Sequence, residues 1–115
     1  PAWCHPVIWQ RIEAAREKRG TKIVVIDPRR TETAEQADLH VPVSPDGDVA
    51  LFNALLTEMV RRGLADPIPA MGDHGLAPET FAALADLVAA HPRMVTVFSM
   101  GANQSVAGTD KGNAI

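Results

Sequence analysis

The fold is decided by one stretch, residues 22–31, which reads Lys-Ile-Val-Val-Ile-Asp-Pro-Arg-Arg-Thr. Its four consecutive apolar residues at 23–26 are β-branched and predict a strand that is buried on both faces. Pro28 ends this strand, because proline has no N–H for a sheet and keeps the preceding residue extended. Open α/β sheets bind ligands at the carboxyl ends of their strands. The polar residues that we expect at this end are Asp27, Arg29, Arg30 and Thr31.

The bulk composition of the 115 residues is that of one globular domain, with 46% hydrophobic and 22% charged residues. A net charge of -3 argues against a nucleic-acid binder. No apolar run reaches the roughly 20 residues of a membrane span. The single cysteine, Cys4, excludes an internal disulfide and a multi-cysteine metal site within these residues. Because the sequence lacks an initial methionine, we expect both termini to lie inside a longer protein.

The order of elements predicts strands that alternate with helices. The first helix would begin at Pro6, bury Ile8, Ile12 and Ala15, and end at Gly20. A brief extended piece follows at residues 38–42. Two further helices are predicted from their apolar stripes. The first stripe is Leu51, Leu55, Leu56, Met59 and Val60, and the second is Phe81, Leu84, Leu87 and Val88.

A second short buried strand is predicted at residues 94–98, Met-Val-Thr-Val-Phe, followed by a polar loop. Strands that alternate with helices form βαβ units and a parallel sheet. The predicted fold class is therefore α/β, with a three-layer Rossmann-like parallel sheet flanked by helices. We expect residues 1–115 to form a single domain, part of a cofactor-binding domain, in which residues 64–77 are a loop.

Three polar clusters would lie at strand ends or helix starts and could meet at one edge of the sheet. They are residues 27–31, 46–48 and 100–105. Carboxylates suit ribose hydroxyls or a guanine edge, and an arginine pair suits phosphates. Two alternatives stay open: Asp27 could only cap the following turn, and Asp46 or Asp48 could only cap the next helix.

Residues for catalysis or metal binding are not predicted. Cys4 and His5 are adjacent, but neighbours in a chain rarely reach the geometry of a nucleophile and its base. His74 has no second ligand at metal spacing. The Gly-x-Gly-x-x-Gly and Walker A fingerprints are also missing.

Several of these stretches resemble the molybdopterin oxidoreductase family, whose members carry molybdenum bis(molybdopterin guanine dinucleotide). The Val-Ile-Asp-Pro-Arg pattern at residues 25–29 is moderately specific to the family. Gly-Ala-Asn-Gln-Ser at 101–105, running to Gly-Thr-Asp-Lys at 108–111, is more typical of its nitrate reductase branch. The resemblance also includes residues 1–6 and 48–51, so it covers most of the chain in order.

The resemblance implies that the chain binds the guanosine and pyrophosphate ends of one pterin cofactor. Asp27 would then be the main purine or ribose partner. The other implied cofactor contacts are Pro1, Ala2, Trp3, Cys4, Pro28, Arg29, Arg30, Thr31, Asp46, Gly47, Asp48, Met100 and Gln104.

Two departures from the family pattern limit this resemblance. The cysteine-rich iron–sulfur segment and the metal-ligating side chain of family members do not occur in these residues, and Cys4 does not match the ligand position. The iron–sulfur cluster and the metal ligand would belong to the parent enzyme. In addition, residues 64–77 look shorter than the matching part of family members.

The resulting prediction is an inactive fragment of a cytoplasmic molybdenum enzyme that reduces nitrate by oxygen-atom transfer. Its partners would be the rest of the parent chain and a nucleotide-type cofactor, without nucleic acid or membrane. One alternative is a formate dehydrogenase of the same family, and another is a non-catalytic α/β binding or scaffold module. We also expect self-association, because apolar surface would be exposed.

Overall fold

The computed structural model describes residues 4–67 and 73–98. The elements are, in order, helix α1 (Pro6–Arg19), strand β1 (Val24–Ile26), helix α2 (Glu32–Glu35), strand β2 (Leu39–Val41), helix α3 (Asp48–Arg61) and helix α4 (Pro78–Ala90). They fall into two compact units, Pro1–Pro42 and Val43–Ile115. The prediction of a single domain stays a prediction.

The first unit contains a parallel pair of strands. β1 pairs with β2 in the register Val24 to Leu39, Val25 to His40 and Ile26 to Val41. Helix α2 lies in the connection between them and contacts both strands. Parallel strands require such a crossover, so the α/β class is supported. The described part of the sheet has two strands, which does not establish the predicted three-layer Rossmann-like arrangement.

Strand β1 is less buried than its sequence predicts. Ile23, just before the strand, is buried, whereas Val24, Val25 and Ile26 are each half-buried. Two strands and a four-residue helix cover less surface than the layers of a full α/β sheet. The expectation of burial on both faces is therefore wrong for this structure.

The predicted second strand at residues 94–98 is also wrong. These residues have no strand structure, and all five are exposed. Val95 and Val97 are 86% and 83% exposed. A β-branched run becomes a strand only when its backbone groups pair with a neighbour, and no such ladder includes these residues.

Helix α1 has the predicted ends but a different buried side. Pro6 occupies the first turn, and Gly20 closes the helix in the left-handed conformation with φ of 67°. Trp9 is the buried residue, and its Nε1 donates to Gln36 Oε1 at 3.2 Å. Ile8 is 54% exposed, so its predicted place in the buried stripe is wrong.

In the second unit, α3 packs against α4. Its buried residues are Val43, Leu51, Ala54, Leu55, Leu84 and Ala85. They include three predicted stripe positions, although Leu56 is exposed. No helix in residues 4–67 and 73–98 combines the length and the apolar character needed to cross a bilayer.

An ion-pair cluster joins α3 to α4. Arg62 donates to Glu58 Oε1 at 2.7 Å and to Asp86 Oδ1 at 2.8 Å. Arg61 also donates to both Glu58 carboxylate oxygens at 2.7 Å. These hydrogen bonds, from Arg61 and then Arg62, lower the pKa of Glu58 from 4.5 to about 2.

Candidate functional site

The polar turn at residues 27–31 follows β1 directly. The Arg29 N–H donates to Asp27 Oδ1 at 2.8 Å, and the Thr31 N–H donates to the Arg29 carbonyl at 2.9 Å. The carboxylate of Asp27 therefore stabilises the turn with one oxygen. This is the capping role that the sequence left open for Asp27, and it leaves the binding role of the carboxylate untested.

Thr31 has a structural role in this turn. It is the N-cap of α2, and its Oγ1 accepts from the Ala34 N–H at 3.4 Å. The Thr31 carbonyl also accepts from Glu35 N–H at 2.9 Å. The turn thus passes from strand to helix with the backbone donors of Ala34 and Glu35 satisfied.

Arg29 and Arg30 extend from the turn into solvent. Both residues are exposed, as is Pro28 between them and the strand. Neither guanidinium makes an ion pair within residues 4–67 and 73–98. Two positive side chains without a carboxylate partner at the carboxyl end of a strand can bind a phosphate in bidentate hydrogen bonds.

The amino end of β1 is fixed by Asp38. Its Oδ2 accepts from the Ile23 N–H at 2.9 Å, and its Oδ1 lies 3.2 Å from Arg16 Nη2 and 3.3 Å from Lys22 Nζ. The Ile23 hydrogen bond is the main cause of a lowered pKa for Asp38, with support from Lys22 and Arg16. No local sequence pattern indicates this anchor, because Asp38 is 15 residues distant from Ile23 in the chain.

The second cluster, residues 46–48, lies in the other unit at the start of α3. Gly47 is the N-cap residue, so the prediction that Asp46 or Asp48 caps this helix with its side chain is wrong. Asp48 is instead the first helical residue, where a carboxylate suits the helix dipole. Asp46 has a positive φ of 65°, which aspartate tolerates better than most residues.

The position of Gly47 leaves no room for a side chain. A Cβ there would lie 2.8 Å from Val43 Cγ2 and 2.9 Å from the Ser44 carbonyl oxygen. The Gly47 N–H also donates to that carbonyl at 2.9 Å. A glycine is required because the turn folds back on Val43 and Ser44, a reason that the sequence pattern did not reveal.

The predicted site residues are thus distributed over separate parts of the chain. Residues 27–31 belong to the first unit, and residues 46–48 to the second. Cys4 is exposed. Pro1, Ala2, Trp3, Met100 and Gln104 lie outside the described residues. The convergence of the three clusters on one edge stays a prediction.

Metal ligands are not assembled in the part of the chain that the structure describes, where no group of three His, Cys, Asp or Glu residues could hold an ion. His74 instead stacks on Phe81 with ring centroids 4.0 Å apart. Its Nδ1 accepts from the Leu76 N–H at 3.1 Å. The contacts of His74 are those of a packing residue.

Comparison with known proteins decides the family. The model of the molybdopterin oxidoreductase family matches residues 1–115. The chain belongs to this family. Membership confirms the resemblance of the sequence motifs and implies a molybdenum–molybdopterin cofactor.

Two similar relatives of this molybdopterin oxidoreductase chain are nitrate reductases. That of Klebsiella oxytoca is 36% identical over 132 residues, and that of Shewanella frigidimarina is 36% identical over 138 residues. Each match covers 99% of the chain but 15% of the relative. Both aligned lengths exceed 115 residues, so these relatives are longer across the matched segment. The location of the difference at residues 64–77 stays a prediction.

A third relative carries a different name. The F420-dependent formate dehydrogenase 1 subunit alpha of Methanococcus maripaludis is 48% identical over 62 residues. This match covers 54% of the chain and 9% of the relative. Identity is therefore higher than with the nitrate reductases but extends over a smaller part of the chain.

The donor set of the turn at residues 27–31 fits one end of such a cofactor. The turn is hydrogen-bonded internally, carries two exposed arginines and follows a parallel strand. These features suit a phosphorylated ligand.

Proposed function

We propose that this chain holds the guanine dinucleotide end of a molybdopterin cofactor within a longer molybdenum nitrate reductase. The observation that supports this most is the ordered turn at residues 27–31, in a chain of the molybdopterin oxidoreductase family. The nitrate reductase relatives also match nearly the whole chain. The parent would be cytoplasmic and would carry an iron–sulfur cluster outside these residues.

Each part of the turn has a distinct role in this proposal. Arg29 and Arg30 would neutralise the pyrophosphate, because exposed guanidinium groups form charge-assisted hydrogen bonds with phosphate oxygens. Asp27 would accept from the purine or ribose with a carboxylate that one turn hydrogen bond already orients. Asp48, Met100 and Gln104 would add contacts.

The chemistry would come from the bound molybdenum group, which would supply oxygen-atom transfer from nitrate in the parent. The residues of this chain would contribute binding and orientation. The rest of the parent chain would be the protein partner, and it would provide the metal ligand.

A nucleotide titration tests the proposal. We expect guanosine 5′-diphosphate to shift the amide resonances of Asp27, Arg29 and Asp48 in the isotopically labelled chain. Arg29→Gln should weaken binding about tenfold to a hundredfold, since a hydrogen bond to a charged group contributes about 1.5–3 kcal/mol. Arg19→Gln is the matched control, because it removes an exposed arginine at the end of α1.

The titration also separates the proposal from the non-catalytic scaffold alternative. A scaffold module would keep the sheet but show no amide shift at millimolar nucleotide. Equal weakening by Arg29→Gln and Arg19→Gln would likewise contradict the proposal, because binding would then follow overall charge rather than the turn.

Formate oxidation is the second candidate function of the parent. The 48% identity with a formate dehydrogenase subunit over 62 residues favours it. In both candidate functions, residues 27–31 would bind the cofactor in the same way. Assays of the complete enzyme with nitrate and with formate would discriminate them, and turnover of formate alone would reject the nitrate proposal.

A further inference from the structure

The main chain of Asp27 is held on two sides. Its N–H donates to the Val41 carbonyl at 3.1 Å, which extends the pairing of β1 with β2. Its carbonyl oxygen lies 2.8 Å from His40 Nε2. His40 is the central residue of β2, so a side chain from one strand fixes the end of the neighbouring strand.

The direction of the His40 contact follows from its chemistry. A carbonyl oxygen can only accept, so Nε2 must carry the proton and donate. Both the neutral Nε2–H tautomer and the imidazolium ion satisfy this requirement. The bond therefore does not depend on the charge of the imidazole.

The residue after Asp27 makes this bond more important. Pro28 has no N–H, so the peptide group between the two residues offers only its carbonyl oxygen as a polar anchor. The His40 side chain occupies that anchor. It thereby fixes the peptide plane from which the turn begins, one residue before Arg29.

We propose that His40 is a positioning residue for the turn at residues 27–31. By holding the Asp27 carbonyl, it fixes the direction in which the Asp27 carboxylate and the Arg29 side chain leave the strand. The effect on ligand affinity rests on the proposed guanine nucleotide site, whereas the effect on the order of the turn does not. His40 itself does not touch the nucleotide.

The test compares three variants of the full chain. His40→Leu replaces the imidazole with an apolar side chain of similar size and so removes the hydrogen-bond donor. His40→Gln places an amide donor near the position of Nε2 and should rescue the bond. His91→Leu is the matched control, because His91 Nδ1 makes a contact of the same 2.8 Å length with the Leu87 carbonyl in the other unit.

Two measurements are made on each variant. The first is hydrogen exchange at the Arg29 and Thr31 amides, whose hydrogen bonds close the turn. The second is the affinity for guanosine 5′-diphosphate. In His40→Leu we expect exchange to rise and affinity to fall by about threefold to tenfold, the range that one neutral hydrogen bond supports. His40→Gln and His91→Leu should retain wild-type values.

The outcomes separate this inference from the proposed function. Unchanged amide exchange in His40→Leu, or equal loosening in His40→Gln, would overturn the positioning role. A loosened turn in a chain that never binds the nucleotide would support His40 and reject the proposed function. If wild type binds the nucleotide and His40→Leu binds it equally well, the proposed function is supported and the positioning role of His40 is rejected. If His40→Leu does not fold, ¹⁵N resonances of the wild-type imidazole decide, because a non-protonated Nε2 contradicts the bond.

Discussion

Asp38 offers the sharpest test of how the first unit is held together. Asp38→Asn removes the charge but keeps an oxygen that can accept from the Ile23 N–H, whereas Asp38→Ala removes both. The hydrogen bond from Ile23 to a charged acceptor contributes about 1.5–3 kcal/mol. The ion pairs with Arg16 and Lys22 add less, about 0.2–1 kcal/mol each, since those cations are 39% and 50% exposed.

From these contributions we expect Asp38→Ala to lower the free energy of unfolding by about 2–3 kcal/mol and Asp38→Asn by about 1 kcal/mol. Urea unfolding followed by tryptophan fluorescence measures both values. Trp9 is buried in the first unit, and a Trp3→Phe background leaves it as the remaining tryptophan. Glu17→Gln is the control, because it removes an exposed acid from α1.

The pH dependence of the free energy of unfolding provides a second test of the stabilisation by Asp38. The folded state lowers the pKa of Asp38, so its stabilisation is present above the ordinary value of 3.8 and is lost as pH falls through the lowered pKa. The difference between wild type and Asp38→Asn should therefore disappear at low pH. If Asp38→Asn and Glu17→Gln unfold alike at pH 7 and low salt, the reasoning is refuted.

Three further predictions concern the second unit. Glu58→Gln should lower the free energy of unfolding at pH 7. The hydrogen bonds from Arg61 and then Arg62 lower the pKa of Glu58 to about 2, so this stabilisation is lost as pH falls from 4.5 through 2 and the difference from wild type should disappear below pH 2; acid titration followed by circular dichroism checks this. Gly47→Ala should lower the free energy of unfolding by about 1–3 kcal/mol, because the added Cβ would clash with Val43. Thermal unfolding measures this, and an unchanged melting temperature would contradict the clash. The exposed side chains of Val95 and Val97 should drive self-association of the chain. Replacing both by lysine should therefore shift the sedimentation profile towards the monomer. A wild-type chain that stays monomeric at high concentration would exclude this self-association.

Helix ends illustrate what was predictable from the sequence. Pro6 occupies a first-turn position, and Gly20 closes α1 in the left-handed region, as predicted. These are local effects, because a proline ring or a missing Cβ acts through its own dihedral angles. The extended piece at residues 38–42 and the turn after Asp27 were predicted for the same kind of reason.

The candidate site was predictable only in part. The motif indicated that residues 27–31 form a polar turn after a strand, and family membership supports the cofactor to which it points. The motif did not indicate that His40 and Asp38 anchor the two ends of β1. Both anchors are 13 to 15 residues distant from the groups that they hold, so no local pattern records them.

The sequence by itself determined where α1 begins and ends, which turn is polar and which family the motifs resemble, because dihedral preferences and residue chemistry are properties of short stretches. Tertiary structure decided which apolar residues are buried. It buries Trp9 rather than Ile8, and it leaves residues 94–98 exposed despite their β-branched composition. Burial and strand pairing depend on neighbours that are distant in sequence, so composition alone cannot supply them.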